Sequence, residues 1–482
     1  MPAVQKLPPL QLLIGGRWID GARTFSVYQK YTQKILADVS EASVTNVDEA
    51  ILSARRGFSV FSQMPAYERA EILRRVSSLL QERRETMAQW ISMEVGKAIK
   101  FSRLEVDRAI DTFRLASEEA GRIHGETVPM DAVKSGQGLI GFWHRRPVGV
   151  VAAITPFNFP LNLVAHKVAP ALAAGNAVVL KPAELTPLTA ALLCEILIEA
   201  GLPEGCINLV HGPGESIGSA LIKHPGVDKI TFTGSALVGR KILASAGIRK
   251  VTLELGNASP VIIAADADLE TAAAKCALGA NYNSGQVCIS TQRIYVEEKA
   301  FGKFRDLLVE ETKRLKVGDP LDESMDVGPL IQEKEALRVQ SWVHEAVGQG
   351  ASVLIGDRRE GSMYWPTVIE NTRPDMKVIR EEVFGPVASI VSCSSFENAL
   401  DQADDTEYGL QASVFTRDLD RAFQAVRRLN FGGIVINDTP HLRPDHIPYG
   451  GNRQSGLGRE GVRFAVEEMT NIQMVQIRTP TR

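Results

Sequence analysis

The chain has 482 residues, a length that predicts two to three domains and leaves room for a sizeable hydrophobic core. Apolar residues make up 44% of the chain and charged residues 23%, as in ordinary globular proteins. The formal net charge of −3 gives no electrostatic reason to expect nucleic acid or a membrane surface as a partner.

The five cysteines are scattered, with no Cys-x-x-Cys spacing and no cluster with histidine. We therefore expect neither a disulfide framework nor a metal site, and we expect a reducing, cytoplasmic location. The N-terminus lacks a basic start followed by a sustained apolar core, so no signal peptide is predicted. A run of about 20 apolar residues is also missing, so no membrane span is predicted.

The first half begins with helical patterns at 46–59 and 67–119, where apolar residues recur every three or four positions. Two strands are predicted at 125–131 and 139–147, around a turn. The continuous apolar stretch 148–155 is typical of a buried parallel strand.

Strand and helix patterns then alternate, which predicts an open α/β sheet that binds a dinucleotide. The predicted strands are 177–181, 207–211, 229–233 and 251–255, and the helices between them are 187–200, 216–223 and 237–247.

A second α/β run starts near Pro260, and its last predicted strand is 433–437. The segment 439–461 is rich in Pro, Gly and Arg and is predicted to be a loop. The tail 471–477 alternates like an exposed edge strand, a kind of strand that often pairs with a partner subunit. The other predicted elements of this half are helices 268–283, 299–315 and 419–429 and strands 293–296, 352–355, 387–393 and 412–416.

Cys288 lies in the segment Asn-Ser-Gly-Gln-Val-Cys-Ile-Ser, residues 283–290. Most free cysteines are small buried hydrophobes, and that alternative stands for Cys288 taken alone. However, Gly285 permits a close backbone approach, and the segment falls between two α/β halves, where clefts form. A thiolate is a strong nucleophile toward a carbonyl, so the segment suggests a catalytic cysteine.

Two further residues fit this chemistry. Glu254 lies in an apolar strand end, where a charged carboxylate is costly; it either pairs with a nearby cation or is a general base with a raised pKa. Asn158 follows the apolar strand directly, at the carboxyl end where such sheets bind ligands. It is either a turn residue beside proline or an amide donor to a developing oxyanion.

Three segments suggest nucleotide contacts. Lys181 and Glu184 follow a strand. Glu184 would accept hydrogen bonds from ribose hydroxyls and repel a 2′-phosphate, which favours NAD over NADP. The alternative is that the two residues are a solvated pair in a loop. The segment 233–239 opens a helix, and Ser235 there is either part of a pyrophosphate site or an ordinary helix cap. Glu382 and Phe384 would hold the nicotinamide ribose, or else are a surface charge and a core aromatic.

Together these motifs resemble the NAD(P)-dependent aldehyde dehydrogenase superfamily. The resemblance runs from Ile14-Gly-Gly-Arg-Trp18 to the glycine-rich segment 448–461, and Leu-Glu-Leu-Gly at 253–256 followed by Gly-Gln-Val-Cys at 285–288 is its most specific part. It implies two open α/β, Rossmann-like lobes and a small β oligomerisation arm. The implied divisions are an NAD-binding domain at 1–124 and 148–256, a catalytic domain at 257–440, and an arm at 125–147 and 466–482.

The resemblance also assigns roles to residues. Cys288 would be the nucleophile, Glu254 the base and Asn158 the oxyanion donor. The implied cofactor is NAD, with NADP possible, and the implied partners are a small aldehyde and further copies of the chain in a homodimer or homotetramer. The implied cofactor contacts are Thr155, Pro156, Phe157, Lys181, Glu184, Gly214, Gly234, Ser235, Val238, Leu255, Glu382 and Phe384.

The mechanism implied by the resemblance passes through a thiohemiacetal and then a thioester on Cys288. Water activated by Glu254 would release the acid. Relatives that transfer the acyl group to CoA typically lack this glutamate, so its presence favours hydrolysis.

One departure from the common pattern of the family narrows the range of expected substrates. Many members have Lys after Leu-Glu-Leu-Gly-Gly, whereas this chain reads Leu255-Gly-Asn-Ala-Ser-Pro260, which resembles the branch acting on lactaldehyde, phosphonoacetaldehyde or other small polar aldehydes. Members that bind phosphate tend to have Arg before the nucleophile, where this chain has Val287, so a phosphorylated or phosphonate substrate is disfavoured. Val287 and Ile289 would flank the substrate, and Arg108, His166 and Arg443 would line a polar entrance or be solvated surface residues.

Two alternatives remain open. The first is a semialdehyde dehydrogenase for an acidic substrate such as succinate semialdehyde. The second, from a different class, is a catalytically silent relative with a structural or binding role.

Overall fold

The computed structural model describes residues 10–478. The first nine residues, which belong to the predicted NAD-binding domain and to the stretch in which no signal peptide is predicted, lie outside the described residues. So do residues 479–482 of the predicted arm. Within the described range, no helix combines the length and the apolar character needed to cross a membrane.

The N-terminal part contains four strands that the sequence pattern did not predict, because they are short or weakly alternating. The predicted helical stretch 67–119 is three helices, and Gly96, with a left-handed φ of 86°, ends the second of them. The elements are β1 (Leu12–Ile14), β2 (Arg17–Ile19), β3 (Arg23–Tyr28), β4 (Ile35–Glu41), α1 (Val44–Phe61), α2 (Ala66–Glu82), α3 (Arg84–Val95) and α4 (Ile99–Ala120).

The next part confirms the predicted alternation of strands and helices. Its elements are β5 (Glu126–Val128), β6 (Leu139–Pro147), β7 (Val150–Ile154), α5 (Asn162–Ala173), β8 (Ala177–Lys181), α6 (Leu188–Glu199), β9 (Ile207–Leu209), α7 (Ser219–Lys223), β10 (Lys229–Thr233), α8 (Ala236–Ala246) and β11 (Lys250–Glu254).

The remaining part contains more elements than the sequence predicted, among them α11 and α13. The predicted loop 439–461 includes a short strand, β21. The elements are β12 (Pro260–Ile263), α9 (Leu269–Asn281), β13 (Arg293–Glu297), α10 (Glu298–Lys313), α11 (Glu333–Gly348), β14 (Ser352–Ile355), β15 (Arg359–Glu360), β16 (Met363–Tyr364), β17 (Thr367–Glu370), α12 (Lys377–Arg380), β18 (Val387–Cys393), α13 (Phe396–Asp404), β19 (Gln411–Phe415), α14 (Leu419–Arg428), β20 (Gly433–Ile436), β21 (Gly456–Leu457), α15 (Val462–Glu468) and β22 (Thr470–Arg478).

The first large sheet has eight strands in the order β2-β1-β9-β8-β7-β10-β11-β21, and β7 to β11 are parallel. The strand order reverses between β7 and β10, and ligands bind at such a switch point, beyond the carboxyl ends of the strands. Ile154 pairs with both Lys181 and Phe232, and Thr233 pairs with Glu254. The ends of β7, β8, β10 and β11 therefore meet at one edge.

The second large sheet has seven strands in the order β14-β17-β18-β13-β12-β19-β20, and all neighbours except β14 and β17 are parallel. Cys288 lies in the segment before β13, and Glu382 lies in the segment before β18. These amino-end segments contact the carboxyl edge of the first sheet: the Asn158 side chain donates to Gln286 O, and Asn257 N donates to Glu382.

A third sheet joins the C-terminal strand to the middle of the chain. β22 pairs antiparallel with β6 over nine residue pairs, from Thr470–Pro147 to Arg478–Leu139, and β5 pairs with the other edge of β6. The predicted tail strand is thus confirmed, and it lies at the edge of the sheet.

Two buried carboxylates hold the first turns of the helices that follow β7 and β8. Glu105 of α4 accepts from Leu161 N and Asn162 N, at 2.9 and 3.2 Å. Glu94 of α3 accepts from the backbone N–H groups of residues 188 and 189 in the same way. Negative charge at a helix N-terminus satisfies otherwise unpaired N–H groups and interacts favourably with the helix dipole.

Glu105 is paired with Lys97, and both side chains are fully buried. The Lys97 ammonium also lies 3.7 Å from the ring centroid of Phe159, the residue after Asn158. One buried ion pair therefore holds the second half of the loop between β7 and α5.

We predict that Lys97→Met lowers the free energy of unfolding by about 3–5 kcal/mol, because it leaves the Glu105 carboxylate buried without its cation. Urea denaturation measures the change. Arg103→Met on α4 is the matched control: its partners Glu85 and Glu323 are exposed carboxylates, so these pairs should contribute at most about 1 kcal/mol. Equal losses in the two variants would contradict the structural role assigned to the buried pair.

Candidate active site

Cys288 follows three consecutive residues with left-handed backbone. Asn283, Ser284 and Gly285 have φ values of 49°, 56° and 72°. A Cβ on Gly285 would lie 2.0 Å from Gly385 O, so only glycine lets the two segments approach this closely. The segment presents Cys288 partly exposed between the buried residues Val287 and Ile289. Strained backbone of this kind is concentrated at functional sites.

The Cys288 thiol is held by one hydrogen-bonding neighbour. Its Sγ lies 3.4 Å from the hydroxyl of Tyr449, which is buried. Burial raises the pKa of the Cys288 thiol to about 11, whereas the contact with Tyr449 lowers it. The sulfur is therefore reactive only to the extent that its surroundings stabilise the thiolate.

Asn158 and the Cys288 segment are joined by reciprocal hydrogen bonds. The Asn158 amide donates to Gln286 O at 2.9 Å, and the Asn283 amide donates to Asn158 O at 3.2 Å. The contact with Gln286 uses one of the two N–H bonds of the Asn158 amide, so the other is available to a ligand. The structure thus brings the predicted oxyanion donor to the loop that carries the predicted nucleophile.

Glu254 ends β11 and is 3% exposed. Neither of its carboxylate oxygens has a hydrogen-bond partner in the described part of the chain. Burial, and after it the charge of Glu460, raises the pKa of Glu254 well above the usual value, while Arg443 and Lys167 oppose the shift. A carboxylate with free lone pairs and a raised pKa is suited to accept a proton.

Glu460, a second buried carboxylate, lies near Glu254 and is paired with two cations. It accepts from Lys167 at 2.8 Å and from Arg443 at 2.9 Å, and all three side chains are at most 5% exposed. Burial would raise the pKa of Glu460, but Lys167 and Arg443 outweigh it and lower the value to about 2. Two neighbouring carboxylates therefore have opposite environments, one paired and ionised and the other unpaired.

The predicted nucleotide contacts converge on the carboxyl edge of the first sheet. Lys181 and Glu184 form an ion pair at 3.1 Å, and the Glu184 side chain is 39% exposed. Ser235 caps α8 by accepting from Val238 N at 3.4 Å. The hydroxyls of Thr155 and Thr233 are buried and lack a partner among the described residues. These groups fit the ribose hydroxyls and phosphates of a dinucleotide.

Residues next to the second large sheet form the side of the site that faces these groups. Glu382 accepts from Asn257 N at 3.1 Å, and burial raises its pKa to about 7. Phe384, with a φ of 47°, packs edge to face on Phe157, with 5.8 Å between the ring centroids. The other predicted contacts lie on the first sheet's side: Pro156 in the loop after β7, Gly214 in the turn before α7, Gly234 after β10 and Leu255 after β11.

A cavity of about 510 Å³ lies beside the site, and Arg108, Tyr282, His441 and Arg443 are part of its wall. Arg443 connects the cavity to Cys288 through Tyr449, because its guanidinium lies 3.4 Å from the ring centroid of Tyr449. Its Nε is buried and without a partner in the described range, as is His441 Nδ1. One residue of the cavity wall, Arg443, therefore has an unused donor and contacts the tyrosine that is hydrogen-bonded to Cys288.

The expectation that His166 lines this entrance is wrong. His166 is 1% exposed on α5, and its Nε2 contacts Asp445 at 2.7 Å. Arg108 pairs with the same carboxylate at 2.7 Å. A helix whose residues are all buried has no exposed polar face, so His166 supports Asp445 from behind the cavity wall.

Sequence reasoning missed Tyr449, Lys167 and Glu460. The spacing of 161 residues between Cys288 and Tyr449 gives no local pattern that would connect them. Lys167, in a largely apolar helix, was a usable signal, because a buried lysine requires a partner. Its partner Glu460 lies in the segment that was predicted to be an irregular loop.

Comparisons with known proteins agree over almost the whole chain. The model of the Aldehyde dehydrogenase family matches residues 18–475. The chain is 46% identical to the 3-sulfolactaldehyde dehydrogenase of Priestia aryabhattai, over 98% of this chain and 99% of that protein.

Two solved structures extend the likeness to the fold. Aldehyde dehydrogenase 21 from Physcomitrella patens, in complex with the reaction product succinate, superposes with a TM-score of 0.95 at 39% identity, over 98% of this chain and 99% of that one. Betaine aldehyde dehydrogenase from Staphylococcus aureus, in complex with NAD+, gives a TM-score of 0.94 at 32% identity, over 98% and 95% of the two chains.

We predict that Glu254→Gln stabilises the protein increasingly as the pH is raised from about 5 to 8. Because the pKa of Glu254 is raised on folding, the folded state binds a proton that the unfolded state releases above the usual carboxyl pKa, and stability falls as the pH rises through that range. Glutamine cannot ionise and escapes this loss. Thermal unfolding should show a melting temperature a few degrees above that of the wild type at pH 8, and a smaller difference at pH 5.

Glu460→Gln is the matched comparison, because it leaves Lys167 and Arg443 buried without a carboxylate. It should lower the melting temperature at pH 8. If both variants were destabilised to the same degree, the ionised form of Glu254 would be stabilising the folded protein, contrary to the prediction.

Proposed function

The chain belongs to the aldehyde dehydrogenase family, and we propose that it oxidises a small polar aldehyde that carries an anionic group to the corresponding carboxylic acid. The protein is an oxidoreductase that uses a nicotinamide cofactor. The observation that carries the proposal is the meeting of a partly exposed thiol and a buried, unpaired carboxylate at the facing ends of the two sheets.

The Cys288 thiolate would attack the aldehyde carbon and form a thiohemiacetal. Its oxygen becomes negatively charged in this step, and the free N–H of the Asn158 amide would donate to it. Gln286 O fixes the direction of the amide, so little reorganisation is needed when the charge develops. Glu382 and the carboxyl edge of the first sheet would hold the nicotinamide cofactor, which would supply the hydride acceptor; loss of hydride from the thiohemiacetal carbon would leave a thioester on Cys288.

Glu254 would then activate the water that hydrolyses the thioester. Its unpaired oxygens can accept the proton of a water molecule, and burial raises its pKa, which makes it a stronger base than an ordinary carboxylate. Attack of the water on the thioester carbon breaks the C–S bond, releases the acid and regenerates Cys288. A role in hydrolysis explains why a carboxylate is buried here without a partner.

The cofactor contacts are proposed from the fit of the residues. The hydroxyls of Thr155 and Thr233 and the cap of α8 at Ser235 suit the phosphates, and Glu382 suits the nicotinamide ribose. The half-exposed carboxylate of Glu184 would bind adenosine ribose hydroxyls and repel a 2′-phosphate, so we propose NAD rather than NADP as the preferred cofactor.

Arg443 is the basis for proposing an anionic substrate. Its buried Nε–H has no partner among the described residues, although an unsatisfied buried donor is costly, and Arg443 is part of the cavity wall. The relative from Priestia aryabhattai is named for a sulfonated aldehyde, and the structure from Physcomitrella patens holds the dicarboxylate succinate. Arg108 would assist from the cavity wall, and Val287 and Ile289 would pack on the aldehyde carbons.

A semialdehyde dehydrogenase for a carboxylate substrate is the second candidate, and the succinate complex of the similar structure favours it. The two candidates use the same cationic pocket and differ only in the anion, a sulfonate or a carboxylate. The third alternative, a silent relative, is disfavoured by the retention of Cys288, Glu254 and Asn158 in one site.

We also propose a role for each of the three largest sheets. We propose that the eight-stranded sheet forms the cofactor domain, that the seven-stranded sheet forms the catalytic domain, and that the three-stranded sheet is an arm joining subunits in a dimer or tetramer. The exposed apolar side chains of Ile472, Met474 and Ile477 on the edge strand β22 support the last role.

We predict that Glu254→Gln retains acylation but loses hydrolysis. Mixing it with NAD and substrate should release about one NADH per active site rapidly, followed by turnover that is slower than wild type by about 100–10,000-fold. Cys288→Ser should give neither phase, and Asn158→Ala should slow both by about 100–1000-fold. Full steady-state turnover by the Glu254 variant would exclude its proposed role.

We predict that Arg443→Gln selectively impairs anionic substrates. The value of kcat/KM for 3-sulfolactaldehyde should fall relative to that for lactaldehyde, its neutral analogue, by about 10–100-fold, as expected for the loss of a hydrogen bond between charged groups. Succinate semialdehyde and butanal form the corresponding carboxylate pair. An unchanged ratio in both pairs would refute anion recognition by Arg443, and the larger wild-type value would identify the preferred anion.

A further inference from the structure

Tyr449 is the described residue whose side chain hydrogen-bonds Cys288 Sγ. The two atoms are 3.4 Å apart, and the Tyr449 ring is buried in the same apolar cluster as Val287 and Ile289. The backbone of Tyr449 is held by two hydrogen bonds with Glu460, of 3.0 and 2.6 Å. The hydroxyl is therefore held in place at the sulfur by a fixed segment of backbone.

The next residue explains why this segment can lie where it does. A Cβ on Gly450 would come within 2.9 Å of the Glu254 carboxylate, so the chain passes directly beside the proposed base. Two consecutive residues thus lie beside the two proposed catalytic groups, Tyr449 at Cys288 and Gly450 at Glu254. A hydroxyl in this position is close to the sulfur in every step that uses it.

Arg443 acts on Tyr449 from the face of its ring. The guanidinium lies 3.4 Å from the ring centroid. Burial raises the pKa of Tyr449 well above its usual value, and the charge of Arg443 opposes that shift, which makes the hydroxyl a stronger donor than it would be without the cation. Burial also raises the pKa of the Cys288 thiol; the hydrogen bond with Tyr449 and the charge of Arg443 lower it, whereas the carboxylates of Glu382 and Glu254 raise it. Without Tyr449 and Arg443 the pKa of the thiol would be higher still.

We propose that Tyr449 is a further catalytic residue, which donates a hydrogen bond to the Cys288 thiolate, and that Arg443 is a positioning residue that strengthens this donation. Tyr449 keeps its own proton throughout, and the proton lost by Cys288 passes to solvent or to Glu254. The proposal rests on the proposed role of Cys288 as nucleophile. It concerns the free enzyme, so it can be tested without an aldehyde.

The test is the pH dependence of Cys288 alkylation by iodoacetamide in the protein without cofactor. In this reaction the thiolate forms an S–C bond and iodide leaves, so the rate reports the thiolate fraction. Tyr449→Phe should move the profile up by about one pH unit, which is about tenfold slower alkylation at a fixed lower pH. Cys288→Ser gives the background from the other four cysteines, which are buried.

Two matched variants locate the effect. Tyr282→Phe removes a hydroxyl from the same cluster, on a ring that packs on His441 at 4.0 Å, and should leave the profile unchanged. Arg443→Gln should shift the profile in the same direction as Tyr449→Phe, by a smaller amount. An unchanged or faster reaction in Tyr449→Phe would overturn the proposal, because it would mean that the thiol donates to the tyrosine instead.

A second measurement avoids the risk that a variant folds poorly. Replacing all tyrosines by 3-fluorotyrosine makes each phenol more acidic and a stronger donor, and should accelerate alkylation of the wild type but not of Tyr449→Phe. Equal responses in both proteins would overturn the proposal. Failure of the proposed function is distinct: it would appear as aldehyde oxidation that survives Cys288→Ser, whatever the alkylation profile.

Discussion

The burial of Glu254 without a hydrogen-bond partner among the described residues is the constraint on which the site depends. An isolated buried carboxylate is too costly to remain ionised, and the neighbouring carboxylate of Glu460 adds to this cost, whereas the cations Lys167 and Arg443 offset part of it. The two cations pair with Glu460 and not with Glu254, so the charge near Glu254 is partly balanced while its oxygens stay free. A direct salt bridge would have stabilised the carboxylate but would have occupied the lone pairs that a base needs.

The same use of buried charge recurs where the fold must hold a loop. Glu105 and Glu94 each accept from the first turn of a helix that follows a strand of the eight-stranded sheet, and Lys97 pairs with Glu105. Because Asn158 lies in the loop between β7 and α5, this buried pair holds the part of the loop that directly follows its amide. The geometry of the site is thus a consequence of packing between helices remote from it in sequence.

The fold class could be predicted from the sequence because alternating strands and helices leave local signals. A polar residue at the end of an apolar strand or just beyond it indicates the carboxyl edge of the sheet: Lys181 and Glu254 are the last residues of β8 and β11, and Asn158 lies in the loop after β7. The short strands β1 and β2 left no such signal. Tyr449 and Glu460 were missed for a different reason: their meaning arises from contacts across 161 and 293 residues with Cys288 and Lys167.

Arg443 joins the two proposed properties of the site, because one guanidinium faces both the cavity and the ring of Tyr449. If an anionic substrate binds to it, the substrate's charge partly cancels the field that strengthens the Tyr449 hydroxyl. The thiol is then most acidic just before the anion arrives and slightly less acidic once the aldehyde lies beside it. At that stage the thiolate attacks the carbonyl carbon, so its lower stability favours the reaction. A neutral aldehyde, in contrast, would leave the acidity of the thiol unchanged. Selectivity and nucleophilicity are in this way coupled through a single buried charge.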